Sequence, residues 1–167
     1  METFTELKNF VGNPCYHEHR QECLRLLDIN KIDRPIAELI RGLTTLPYCF
    51  PLQSCYGHFL YEGQGYPCNI KPLPNFETIE TVEYRIAYVT LCLENNEFGV
   101  ELFHDLLQIS SLDPMFIQFG CAEWFWNTQD VIPFDEALHL EKIRNLFFAN
   151  LHTLLRKHLK IKKEKPS

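Results

Sequence analysis

Residues 82–93 read VEYRIAYVTLCL, and no other stretch of the chain restricts its fold so closely. β-Branched and aromatic side chains crowd the segment, and its second half is apolar at odd and even positions alike. A strand with one face in water alternates between apolar and polar residues. A strand apolar on both faces belongs inside a sheet that carries layers on both sides. The chain must therefore supply helices to cover that sheet.

Four segments answer the requirement. GNPCYHEHRQECLRLLD (12–28) opens with Asn13 and Pro14, a residue suited to the cap and one suited to the first helical position, and Cys23, Leu24 and Leu27 form its stripe. A second helix starts at IDRPI, where Asp33 can cap and Pro35 sits in the first turn. Its residues Ile36, Leu39, Ile40 and Leu43 fall at i, i+3, i+4 and i+7. NNEFGVELFHDLLQIS (95–110) turns Phe98, Leu102, Phe103 and Leu106 inward. The fourth helix starts near Phe134 and carries a stripe of Ala137, Leu140, Ile143, Phe147, Leu151 and Leu154.

LPYCFPLQS (46–54) has strand content, and Pro51, which lacks an N–H, marks an edge or a bulge. MFIQFGCAEWFW (115–126) is a further strand, so that strand, helix, strand predicts a right-handed βαβ unit. The expected fold is α/β: one domain over residues 1–155, a mixed sheet with a βαβ unit and helices packed against it, and a basic helix end or tail over 156–167. Residues 61–81, rich in Gly and Pro, form a long loop of the kind that is usually functional or mobile.

At 167 residues the chain is long enough to bury a core. No apolar run approaches the ~20 residues that cross a bilayer, and METFTELKNF carries acids where a secretory signal has a basic patch. A cytoplasmic protein without a membrane partner is expected. Seven cysteines, an odd number, then read mainly as reduced, buried hydrophobes. The net charge of −6 conceals a tail with six basic residues between Arg156 and Lys165 against one acid, Glu164. The remaining body is more acidic still, which opposes general binding of a phosphate backbone.

Chemistry-bearing residues concentrate in LQSCYGHF (52–59). Gly57 allows a tight turn after a strand, and successive N–H groups in such a turn can form an anion-binding concavity. Ser54 adds a hydroxyl and His58 a donor or acceptor that switches near neutral pH. The bland alternative is an ordinary strand-end turn with Cys55 buried. A further reading makes Cys55 a nucleophile and His58 its base.

Arg85, in an otherwise apolar strand, needs a partner, with Glu83 or Glu123 available, or else serves as an anion clamp. Gln118, Gly120, Ala122, Trp124 and Trp126 share one face if 115–126 is extended, leaving room for a flat ring such as a purine; a plain aromatic core is the alternative. Cys15, His17, His19 and Cys23 are zinc-type residues, but His17 points away from the other three on a helix. Cys49, Cys55, His58 and Cys68 form a second, looser group. Neither group has the spacing that would assign metal ligands.

The stretch beginning HRQECLRLLDINKIDRPIAELI and ending LQSCYGHF resembles the N-terminal part of the tRNA wybutosine-synthesising methyltransferase family, over residues 17–60. IDRPIAELI matches the family's Asp-x-Pro-Ile helix start, and Ser54, Cys55 and Gly57 match its T-T-S-S-C-S-G-R turn. DPMFIQFGCAEWF is a weaker echo of a later family strand. His58 stands where the family has Arg, and the family's Gly-Phe-x-Asn-Ser-Gly segment has no counterpart.

The resemblance implies an enzyme that transfers a methyl group from S-adenosylmethionine to a modified guanosine in tRNA. A small nucleotide-like ligand would sit at the SCYGH turn, lined by Ser54, Gly57, Arg85, Gln118 and Trp124, with His58 and Cys55 as the reacting groups. Two other classes stay open: a non-catalytic binding or regulatory module that keeps the fold, and a structural zinc protein.

Overall fold

The helix predicted from Ile36, Leu39, Ile40 and Leu43 places all four side chains out of contact with water, at 0–3% exposure. It is α2, Ala37–Thr44, and it follows a 3-10 turn at Arg34–Ile36 that accommodates Pro35. Around it stand α1 (Tyr16–Leu26), α3 (Glu97–Ile109) and α4 (Phe134–Glu164), with strands β1 (Cys49–Cys55), β2 (His58–Leu60), β3 (Thr81–Arg85), β4 (Tyr88–Leu93) and β5 (Gln129–Pro133). The structure, a computed structural model, describes residues 13–64, 72–74, 79–117, 119 and 129–164. Helices and antiparallel sheet form one α/β domain. No helix among the described residues is long and apolar enough to cross a membrane.

The segment 82–93 divides into two strands, which interrupt at Ile86–Ala87. β4 pairs antiparallel with β1, from Cys49 opposite Leu93 to Cys55 opposite Tyr88, and the register shifts between Pro51 and Gln53. That irregularity is the bulge Pro51 foretold. β3 pairs antiparallel with β2 and, on its other side, with β5. The two ribbons therefore break at the same level, between Cys55 and His58 on one strand and between Arg85 and Tyr88 on the other.

The break depends on Gly57. Its φ of +85° is one that side-chain-bearing residues rarely adopt. A Cβ there would also lie 2.9 Å from Ala87 Cβ.

All described pairings are antiparallel. The strand expected over 115–126 is not formed at its start, where Met115 and Phe116 lie exposed in a turn whose N–H groups bond back to Asp113. Residues 118 and 120–126 lie outside the described residues, so the βαβ unit is not seen among the described strands. α4 starts at Phe134 as expected. The helix continues to Glu164, and His158 is fully buried.

α1 starts at Tyr16 rather than at Pro14. The side chain of Asn13 instead accepts from the Cys15 N–H and shapes the preceding turn. Asn96 caps α3 through the Gly99 N–H.

Candidate functional site

Asp33 has the position and residue type of a helix cap, yet it makes no capping bond. Its carboxylate crosses to the break between β1 and β2. There Oδ2 accepts the Tyr56 N–H at 2.8 Å and faces His58 Nε2 at 3.2 Å. Because an ionised carboxylate only accepts, Nε2 carries the proton of that bond.

The turn's second N–H, from Gly57, donates to Cys55 Sγ at 3.4 Å. The anion-binding concavity expected of this turn thus holds the chain's own carboxylate and sulfur. Asp33, Cys55 and His58 each present a ligand-type atom, and the three atoms lie within 4.8 Å of one another.

These neighbours set the protonation of the site. The hydrogen bond to Asp33, followed by the Cys55 side chain, pushes His58 up to about 10 against the opposing effect of burial. Burial alone would raise Asp33, but the hydrogen bonds from His58 and the Tyr56 N–H outweigh it and hold the carboxyl below its usual range. At neutral pH the pair is an imidazolium and a carboxylate. His58 is then a proton donor; it serves as a base only after giving that proton up. Its second nitrogen, Nδ1, is buried and has no hydrogen-bond partner among the described residues.

Arg85 is the direct cross-strand partner of His58. Opposed residues in an antiparallel pair project from the same face, so two basic side chains stand side by side at the end of the sheet. The Arg85 Nε lies 3.3 Å from Glu83 Oε1, and its side chain is 36% exposed. The partner expected for Arg85 is therefore present, and the guanidinium still reaches water.

Phe59 and Tyr84, one residue along, project to the opposite face and stack at 4.9 Å. Ser54 is half-buried on β1, next to the buried Cys55. Gln118 and Trp124 lie outside the described residues.

The turn is held from behind by α4. Arg144, only 5% exposed, donates from Nη1 to the Gly57 carbonyl at 3.0 Å. Its Cζ stands 4.2 Å from the Tyr56 ring centroid and 5.0 Å from that of Phe59. Nη2 donates to Glu141 and to Asn145, and Asn145 also accepts the Tyr56 hydroxyl. Glu141 in turn accepts the Leu73 N–H.

Neither Asp33 nor Arg144 was foreseen at this site. Asp33 looked like a cap, and Arg144 lies 87 residues from the carbonyl it holds. An Arg placed beside Ile143 on the apolar stripe of α4 is the one signal that could have found the second.

A separate polar group lies at the other end of the sheet. His158 meets the Tyr48 hydroxyl through Nδ1 and Asp105 Oδ2 through Nε2, both at 2.9 Å. Lys157 lies 2.6 Å from the same Asp105 oxygen and 3.2 Å from Glu101 Oε1. Both imidazole nitrogens are satisfied, and the group ties α3, α4 and the start of β1 together.

Of the zinc-type residues in α1, His17 pairs with Glu94 and His19 with Asn13. Cys49 donates to the Leu43 carbonyl, away from Cys55 and His58, and the five described cysteines are free thiols. Compared with protein-family models, curated proteins and solved structures, the chain finds no match in any of the three.

Proposed function

We propose that the protein binds a small nucleotide-like ligand at the 55–58 turn and that S-adenosylmethionine is that ligand, as donor in a methyl transfer. The observation that carries this reading is the direct pairing of His58 with Arg85 across β2 and β3. Asp33 and Glu83 each lie against one of these two basic residues, and a further anion beside the pair would face both. The exposed part of Arg85 offers donors for a carboxylate such as that of the methionyl group. Arg85 then takes up the anion-pairing role of the Arg that His58 replaces in the family's motif.

Under this reading Gly57 and Ser54 line the polar end; Gln118 and Trp124, the residues expected at a flat ring, lie outside the described residues. Methyl transfer would proceed mainly by holding donor and acceptor in line, with His58 and Cys55 the ionisable groups nearest the reacting atoms. The modified guanosine of tRNA is the acceptor to try, although a net charge of −6 opposes strong backbone binding.

Calorimetry with S-adenosylmethionine, S-adenosylhomocysteine and adenosine, in the presence of EDTA, tests the reading. Both carboxylate-bearing compounds should bind in the micromolar range, adenosine at least tenfold more weakly. Arg85→Gln should remove that difference. Binding without transfer to tRNA would favour the non-catalytic module, and no binding of any of the three would overturn the proposal.

A further inference from the structure

We propose that Asp33, Cys55 and His58 form a zinc-type metal site with three protein ligands and one position open to solvent or substrate. A carboxylate oxygen, a thiol sulfur and an imidazole nitrogen lie within 4.8 Å of one another in the described structure. Zinc bonds of about 2.0–2.3 Å in a tetrahedron place ligand atoms roughly 3.3–3.7 Å apart. Closing the site therefore asks for side-chain movements of at most about 1 Å. The Asp33–His58 separation, 3.2 Å, is already near that spacing.

The donor set suits a borderline-soft divalent ion. Thiolate and imidazole together favour zinc or cobalt over magnesium or calcium, which take oxygen ligands. One carboxylate and one thiolate would neutralise the ion's two charges. Binding displaces the thiol proton of Cys55 and the imidazole proton facing the metal into solvent. A proton between His58 and Asp33 joins two of the three groups; a divalent ion would join all three.

The supporting hydrogen bonds are already in place. The Gly57 N–H points at Cys55 Sγ, as a donor to a metal-bound thiolate would, and the Tyr56 N–H orients the Asp33 carboxylate. Arg144 fixes the turn that carries two of the ligands by holding the Gly57 carbonyl. Cys55 and His58 are three residues apart in sequence, and the turn that brings them toward one point carries the positive φ of Gly57.

This inference does not rest on the ligand reading, although the two share His58. Cobalt(II) is the first probe, added to the full-length protein after removal of chelator. One equivalent should produce a near-ultraviolet thiolate-to-cobalt charge-transfer band and the intense visible bands of tetrahedral cobalt. Zinc should displace both. Cys55→Ser should abolish the charge-transfer band, and Asp33→Asn should weaken affinity at least tenfold, with far-ultraviolet circular dichroism confirming that each variant is folded.

A measurement on the unmodified chain guards against a variant that fails to fold. Zinc should slow alkylation of Cys55 at least tenfold while leaving that of the exposed Cys15 unchanged. No cobalt spectrum at one equivalent, an identical band in Cys55→Ser, or alkylation of Cys55 indifferent to zinc would each overturn the proposal. Failure here leaves the S-adenosylmethionine titration in EDTA untouched, and failure there leaves this one untouched.

Discussion

Asp33 and His58 are joined at 3.2 Å across 25 residues of sequence, and the bond takes the carboxylate away from the helix it precedes. A cap contributes about 1 kcal/mol. Here that contribution is given up for one charged contact and one backbone N–H, both in a half-buried place. Asp33→Ala, which strands the Tyr56 N–H and His58 Nε2 together, should cost about 2–3 kcal/mol in urea unfolding. Asp33→Asn, whose amide oxygen can still accept one of those bonds, should cost less. Equal losses would mean that the carboxylate's charge and its acceptor count do not matter.

Arg144 should be among the most sensitive positions on α4. It is buried against Glu141, the Gly57 carbonyl and two aromatic rings. Arg144→Ala leaves the Glu141 carboxylate without its charge partner and should cost about 3–5 kcal/mol. Arg144→Lys should rescue little of it, since an ammonium cannot stack flat between Tyr56 and Phe59 while donating to the carbonyl. Thermal unfolding of the two variants measures the difference.

Gly57 and Gly63 provide a matched pair. Both have a positive φ, +85° and +84°. A Cβ at Gly57 would meet Ala87 at 2.9 Å, whereas nothing lies within 4 Å at Gly63. Gly63→Ala should therefore lose only the backbone cost, about 1–2 kcal/mol. Gly57→Ala should lose that and more, because the two ribbons must part to admit the methyl group. A loss no greater at Gly57 would show that the break in the ribbons yields freely.

Acid should weaken the far end of the sheet through Asp105. Burial would raise its carboxyl, but hydrogen bonds from Lys157 and His158 outweigh that and hold it below the usual range. A carboxyl with a lower affinity for protons in the folded state stabilises fully above the unfolded value. That contribution fades as pH falls through the folded one. Stability should decline from about pH 5 downward, and Asp105→Asn should flatten that decline while lowering stability at neutral pH. Urea midpoints measured along the pH series decide it.

Helix periodicity carried most of what was legible in the chain. Ile36, Leu39, Ile40 and Leu43 marked α2, and the stripe beginning at Ala137 marked α4, because a helix face depends only on residues three or four apart. Strand boundaries were harder. VEYRIAYVTLCL looks continuous because Ile86 and Ala87 are as apolar as their neighbours; the interruption lies against Gly57, in the break between β1 and β2.

The turn itself was visible in Ser54, Cys55, Gly57 and His58. Its partners were not, since Asp33 has every local mark of a cap and Arg144 reaches the turn only through the packing of α4. Arg85 was legible as a charge in need of Glu83, but its register opposite His58 is set by strand pairing that no local pattern encodes.

The hold of Arg144 on the Gly57 carbonyl has a consequence for how the chain comes off the ribosome. Asp33, Cys55 and His58 are all synthesised early, yet the helix that fixes their turn arrives after residue 134, and β5, which flanks β3, arrives only just before it. A nascent chain proceeds from its N-terminus while domains fold as units. The ingredients of the site therefore wait while the chain between His58 and Arg144 is made before the piece that locks them is present.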